Sequence, residues 1–290
     1  MERYENAKKV GIIGIIGNTF LFLCKIIVGI FSMSMSMLAD ALNSFSDIFS
    51  SLMTWIGNRI SSVANDYDHN FGHGKAEYIF SLLISISMIL ISIKLLFYFI
   101  DGIVSEKRMV FSWNLVFVCL ITIIVKICLY FYTKASYLKN NNLLVKTSMI
   151  DHRNDCFITS LTLIAIILSK YHFYYFDGAV GIIISIWIFI SGLKIFKESY
   201  NVLMDSSIDE YSRNTILGII KKRKSIKRIG TLYSIPIGYK YVIVLTIYVK
   251  GKMNTACSHK ITDELEKEIL SSLDIIDRVI IHVEPYEKNG

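Results

Sequence analysis

The sequence predicts an all-α membrane domain, a six-transmembrane-helix bundle over residues 1–204, followed by a small α+β domain over residues 205–290. Three observations carry this. Apolar residues make up 53% of the 290 and fall in long runs separated by charged residues, the distribution of the membrane class. Six of those runs are long enough, at 1.5 Å per residue, to cross about 30 Å of hydrocarbon. From Asp205 onward the pattern changes to short amphipathic and β-like runs.

The net charge of +7 does not point to nucleic acid. No basic-aromatic binding module is present, and Lys and Arg gather at the ends of apolar runs, as positive-inside topology requires. They concentrate in the N-terminal segment (Arg3, Lys8, Lys9), in the second-to-third and fourth-to-fifth connections, and after the sixth span (Lys194, Lys197); Lys107, Arg108 and Lys170 are a minority on the other side. Both termini are therefore expected in the cytoplasm. The cysteines, Cys24, Cys119, Cys128, Cys156 and Cys257, show no paired spacing, so neither a disulfide framework nor a Cys-rich zinc site is expected.

The first span, 10–31, carries Gly11, Gly14 and Gly17 at every third residue, a spacing suited to close helix packing. Asn18 and Lys25 are its polar exceptions, and Lys25 either pairs with a carboxylate or snorkels. The second span, 37–60, sets Asp47 about 15 Å deep. Asp40 lies near its outer end, where capping explains it as well as a ligand role does. The third span covers 76–100 and the fourth 111–133. A polar connection, 134–142, leads to the fifth, 143–169, which carries Asp155 about 18 Å deep. The sixth covers 176–196. Neither Pro236 nor Pro285 falls in a span, so rocking of whole helices is expected rather than unwinding at proline.

In the C-terminal part a helix over 208–220 precedes a basic run, Lys221 to Arg228, read as a solvated or lipid-facing surface. Strands are expected at 226–235 and 239–249, turned at Pro236 and Gly238. A helix over 255–273 presents Ile261, Leu265 and Ile269 at spacings of four, and a last strand covers 277–283. The order helix, strand, strand, helix, strand describes a small layered α+β domain of ferredoxin-like kind.

Two pairs of polar residues stand inside the spans. Asn43 and Asp47 are four apart, as are Asp151 and Asp155, so each pair lies on one helical face. A charged side chain at a helix centre costs roughly 2.5–3.5 kcal/mol, which makes an inward orientation and a partner the default. All four side chains offer oxygen donors, and a divalent cation or bound protons would relieve most of that cost. Exchange of metal for protons follows. Interhelical hydrogen bonding alone is the plainer reading, and two pairs at matched depth count against it. His152 points about 100° from the pair and is not counted as a ligand. Between the second and third spans, Asp66, His69 and His73 could supply carboxylate and imidazole donors to a second ion. A membrane-embedded metalloenzyme using these groups to activate water is disfavoured, because no His-Glu-x-x-His helix is present and the two clusters belong to different depths.

The stretches Leu38-Ala39-Asp40-Ala41-Leu42-Asn43-Ser44-Phe45-Ser46-Asp47, Phe71-Gly72-His73-Gly74-Lys75-Ala76-Glu77 and Asp151-His152-Arg153-Asn154-Asp155 resemble the cation diffusion facilitator family of divalent-metal transporters over nearly the whole chain. The resemblance implies a homodimeric exporter in a lipid bilayer, in a bacterial cell membrane, that exchanges a cytosolic metal ion for protons by alternating access. It implies a transport site between the second and fifth spans, at Asn43, Asp47, Asp151 and Asp155, and strengthens a secondary site at Asp66, His69 and His73. Zinc-transporting members commonly place His in one or both pairs. The Asn-Asp-Asp-Asp set is similar instead to the manganese-exporting branch, and oxygen donors suit Mn²⁺, with Zn²⁺, Fe²⁺ and Co²⁺ as alternative cargo. The C-terminal part resembles the family's metal-sensing dimerisation domain but is poor in ligands: His259, His282 and Glu284 remain, while Gly230 and Val244 fall where ligands are expected. Lys75 and Asp205, both just inside the cytoplasmic face, are expected to form a salt bridge.

Overall fold

The computed structural model describes residues 2–31, 35–104, 112–169 and 175–286. Lys107, Arg108 and Lys170 lie outside them, as do the side chains of Asp40 and Asn43. Two compact units are present. The first comprises Met1–Val63 and Ala76–Tyr200, and the second comprises Ala64–Lys75 and Asn201–Gly290.

The first unit is a bundle of six long helices: α1 (Glu2–Phe31), α2 (Met35–Ser61), α3 (Ala76–Val104), α4 (Trp113–Asn140), α5 (Leu143–Ser169) and α6 (Tyr175–Leu203). Among the described residues α1, α3 and α4 are long and apolar enough to cross a membrane by composition alone; α2 and α5 carry the polar residues discussed below. The glycine stripe of α1 does pack closely. A Cβ on Gly11 would stand 2.8 Å from the Trp55 Cβ, one on Gly14 would stand 2.8 Å from the Ser51 Oγ, and one on Gly17 would stand 2.9 Å from Leu129. Small residues thus let α1 approach both α2 and α4.

Five of the six spans reach beyond the sequence reading, α1, α4 and α6 by about two turns each; α6, expected to end at 196, continues to Leu203. The N-terminal residues, expected as a polar lead-in, already belong to α1. Likewise α4 runs through 134–140, expected as a connection, and stops only where Asn141 takes a left-handed φ of 50°. The physical reason is shared: a helix leaving hydrocarbon keeps its backbone bonds, and only its side chains turn polar. The αL cap, which Asn tolerates, is what ends α4.

In the second unit α7 (Glu210–Lys221), β1 (Ile226–Pro236), β2 (Tyr241–Lys250), α8 (Thr255–Ser272) and β3 (Ile276–Tyr286) follow in the expected order. The sheet order is β1-β2-β3, with β1 antiparallel and β3 parallel to β2, so α8 is the crossover that a parallel pair needs. Ile216 and Ile220 of α7, Ile243, Leu245 and Ile247 of β2, and Leu265 and Ile269 of α8 form the buried core. Asp209 caps α7 by accepting the Ser212 N–H at 3.0 Å, and these hydrogen bonds hold its carboxyl below the usual range. No disulfide joins any of the five cysteines.

Candidate metal centre

Helices α2 and α5 bring three carboxylates into the interior of the first unit. Asp47 is 6% exposed and Asp155 is 8% exposed. With Asp151 they line one small cavity of about 20 Å³, to which Ser50, Asn154, Met88 and Ile188 also contribute. That space admits a single ion or water and no organic solute. Around it the backbone is held by buried polar side chains of α1: the Asn18 amide donates to the Asp47 carbonyl at 3.1 Å and to Ser51 Oγ at 2.9 Å. Lys25 does not snorkel. It is 3% exposed and donates to Ser44 Oγ at 2.9 Å.

The residue that sequence reasoning missed is Lys126 of α4. Its ammonium is 1% exposed and sits 2.8 Å from Asp47 Oδ2 and 2.5 Å from Asp155 Oδ2. One lysine therefore joins α2, α4 and α5. The signal was available, since a lone Lys in the middle of an apolar span is as costly as a lone Asp and calls for the same search for a partner.

His152 needs a correction. Read as facing away from the pair, it is 2% exposed, and its ligand nitrogen lies within 4.8 Å of ligand oxygens of both Asp151 and Asp155. Its Nδ1 is buried with no hydrogen-bond partner among the described residues. The 100° step fixes only the direction of Cβ; rotation about the side-chain bonds swings the imidazole back toward the carboxylates.

The second cluster lies in the loop between α2 and α3. Ligand atoms of Asp66, His69 and His73 all fall within 4.8 Å of one another. Asp66 Oδ1 accepts the His69 backbone N–H at 2.6 Å, the leading cause of a carboxyl held below its ordinary value, with both nearby imidazoles adding to it. His73 Nδ1 lies 3.3 Å from the Ala64 carbonyl, which can only accept. Its Nε2 lies 3.5 Å from Asp66 Oδ2. The rings of His69 and His73 are 4.4 Å apart at their centroids. Gly74, just beyond, passes so close to the β1–β2 turn that a Cβ there would meet the Ile237 carbonyl oxygen at 2.7 Å.

In the sheet domain the candidate ligands are dispersed. His282 Nε2 and Glu284 Oε1 are paired at 2.7 Å on β3, and His259 stands on α8. Among the described residues two groups of three or more ligand-type side chains converge, and neither includes these. Gly230 faces the side chains of Thr246 and Tyr248 at about 3.0–3.1 Å from where its Cβ would be, so the threonine methyl and the tyrosine ring fill the place of a ligand. Lys75 Nζ lies 2.7 Å from Asp205 Oδ1, both half-exposed.

A family model for the cation efflux transmembrane domain matches residues 11–204, and one for the cation efflux protein cytoplasmic domain matches residues 208–286. The "Manganese efflux system protein MneS" of Bacillus subtilis is 28% identical over 295 aligned residues, 99% of this chain and 100% of that one. "Manganese efflux system protein MneP" of the same organism is 26% identical over 98% of both chains. The "Cation-efflux pump FieF" of Shewanella oneidensis is 26% identical over 92% of this chain and 90% of its own. The chain thus belongs to the cation efflux, or cation diffusion facilitator, family: an integral membrane transporter of divalent metal cations and not an enzyme.

Proposed function

We propose that the chain exports Mn²⁺ from the cytoplasm in exchange for protons, by alternating access, as a homodimer with both termini in the cytoplasm of a bacterial cell. Residues 1–204 carry the ion, and residues 205–290 form the dimerisation module. The transport site is Asn43, Asp47, Asp151 and Asp155. What supports it most is the single-ion cavity shared by Asp47, Asp151 and Asp155 in the interior of the helix bundle. Manganese is favoured by the oxygen donors, by Asn43 where an imidazole would draw zinc, and by two relatives whose names say manganese. Asp66, His69 and His73 form a secondary site on the cytosolic side. His259, His282 and Glu284 are at most a weak third site.

The imidazole of His152, within 4.8 Å of the Asp151 and Asp155 oxygens, favours a second reading in which Zn²⁺, Fe²⁺ or Co²⁺ is the cargo. Flux of a panel of divalent ions across a pH gradient in proteoliposomes separates the two, with Asn43→His and His152→Ala for comparison. Manganese export predicts fastest Mn²⁺ flux in the unmodified chain, little change with His152→Ala, and a gain of Zn²⁺ flux with Asn43→His. Zn²⁺ flux equal to or above Mn²⁺ flux in the unmodified chain overturns the assignment.

A further inference from the structure

The ammonium of Lys126 holds two of the carboxylate oxygens beside the cavity that a transported cation would use. It lies within hydrogen-bond distance of Asp47 Oδ2 and Asp155 Oδ2 together, so a divalent ion bridging the same oxygens must push Nζ aside. The lysine is also among the largest fully buried side chains, so it has no aqueous position to fall back on without movement of α4. The carrier must return its site without metal after releasing cargo, and any carboxylate left ionised in the bundle interior makes that return costly. A positive charge carried on a neighbouring helix lowers that cost, alongside the protons taken up in exchange.

We propose that Lys126 is a tethered counter-ion of the transport site: it compensates Asp47 and Asp155 while the carrier returns empty, and it competes with the incoming cation, which keeps binding weak enough for release. The inference rests on the export reading. It goes further by dividing the cycle into a leg that needs Lys126 and a leg that does not.

The test uses full-length chain with Mn²⁺ as probe. Lys126→Gln should bind Mn²⁺ about tenfold more tightly by calorimetry in detergent. In proteoliposomes its net Mn²⁺ flux should fall about tenfold, while exchange of Mn²⁺ for isotopic Mn²⁺, which needs only the loaded carrier, falls less than threefold. Lys126→Arg keeps the charge and should hold affinity within threefold of the unmodified chain; it carries the test if the Gln variant elutes as aggregate. Unchanged or weaker binding by Lys126→Gln, equal loss of both fluxes, or a tenfold tightening by Lys126→Arg overturns the counter-ion. An unmodified chain that moves no divalent ion overturns the export reading itself, and the two failures are distinct because binding is measured apart from flux.

Discussion

Arg3 and Glu77 form a buried pair across the helix bundle: the Arg3 guanidinium lies 2.8 Å from Glu77 Oε2, with the Glu77 side chain 1% exposed. Arg3 also donates through Nε to the Asn140 carbonyl at 3.1 Å, and Glu77 accepts the backbone N–H of Leu143. One ion pair thus fastens the starts of α1, α3 and α5 and the end of α4. Glu77→Ala removes the carboxylate from the Arg3 charge and from the Leu143 amide, and should cost about 3–5 kcal/mol. Thermal unfolding in detergent measures it, and Arg3→Ala with Glu77→Ala together should cost less than the two singles added.

Removing a carboxylate from the cavity should stop transport without unfolding the bundle. Asp47→Asn and Asp155→Asn are expected to reduce Mn²⁺ flux at least about 100-fold, the upper range for loss of a supporting group around a metal. Retained flux in either would remove these residues from the transport site.

The loop cluster should keep its carboxylate ionised below the usual carboxylate range. Asp66 has a lowered carboxyl pKa, so its contribution to folding is complete above the ordinary carboxylate value and is lost only as pH falls through the lower folded value. Mn²⁺ binding at the loop should therefore keep its Asp66 contribution down to the ordinary carboxylate value and lose it only as pH falls further. Calorimetric titration of Asp47→Asn, which removes one carboxylate from the bundle cavity, is the background for measuring that binding; His73→Ala on it should reduce it about 10–100-fold.

Gly238 has a φ of +107°, and a Cβ there would stand 3.0 Å from the Gly74 Cα. Gly238→Ala combines strain with a backbone clash and should destabilise the sheet unit by about 1–3 kcal/mol. Gly74→Ala should act in the same direction through the Ile237 carbonyl. Limited proteolysis of the full chain, reading cleavage in 201–286, follows both.

Lys75 and Asp205 predict the opposite outcome. Their side chains are 38% and 55% exposed, so solvent screens the pair and Lys75→Ala should cost no more than about 1 kcal/mol in thermal unfolding. A much larger loss would mean that the lysine does more than pair.

The sequence made the fold legible where polarity and backbone change together. Leu143 and Ser169 bound α5 as read, and the order of strands and helices after Asp205 follows from turn residues and apolar spacing. Polarity and backbone part company in α4, where Lys134 to Asn140 look like a loop and remain helix. In the site, the carboxylates were visible because they are rare in apolar runs. Lys126 was not, since basic residues had been used as markers of span ends, and that habit hides a cation at mid-span. His152 was hidden by reasoning from Cβ directions, which do not limit where a ring can reach.

The segment 64–75 leads two lives. By chain order it connects α2, which carries Asp47, to α3; by packing it belongs with the sheet, Gly74 lying against Gly238. An ion captured by Asp66, His69 and His73 would stiffen a segment that is joined at both ends to helices and packed at Gly74 against a β-turn. Binding there would then have a mechanical address as well as a chemical one, since it would order the stretch of chain that follows α2.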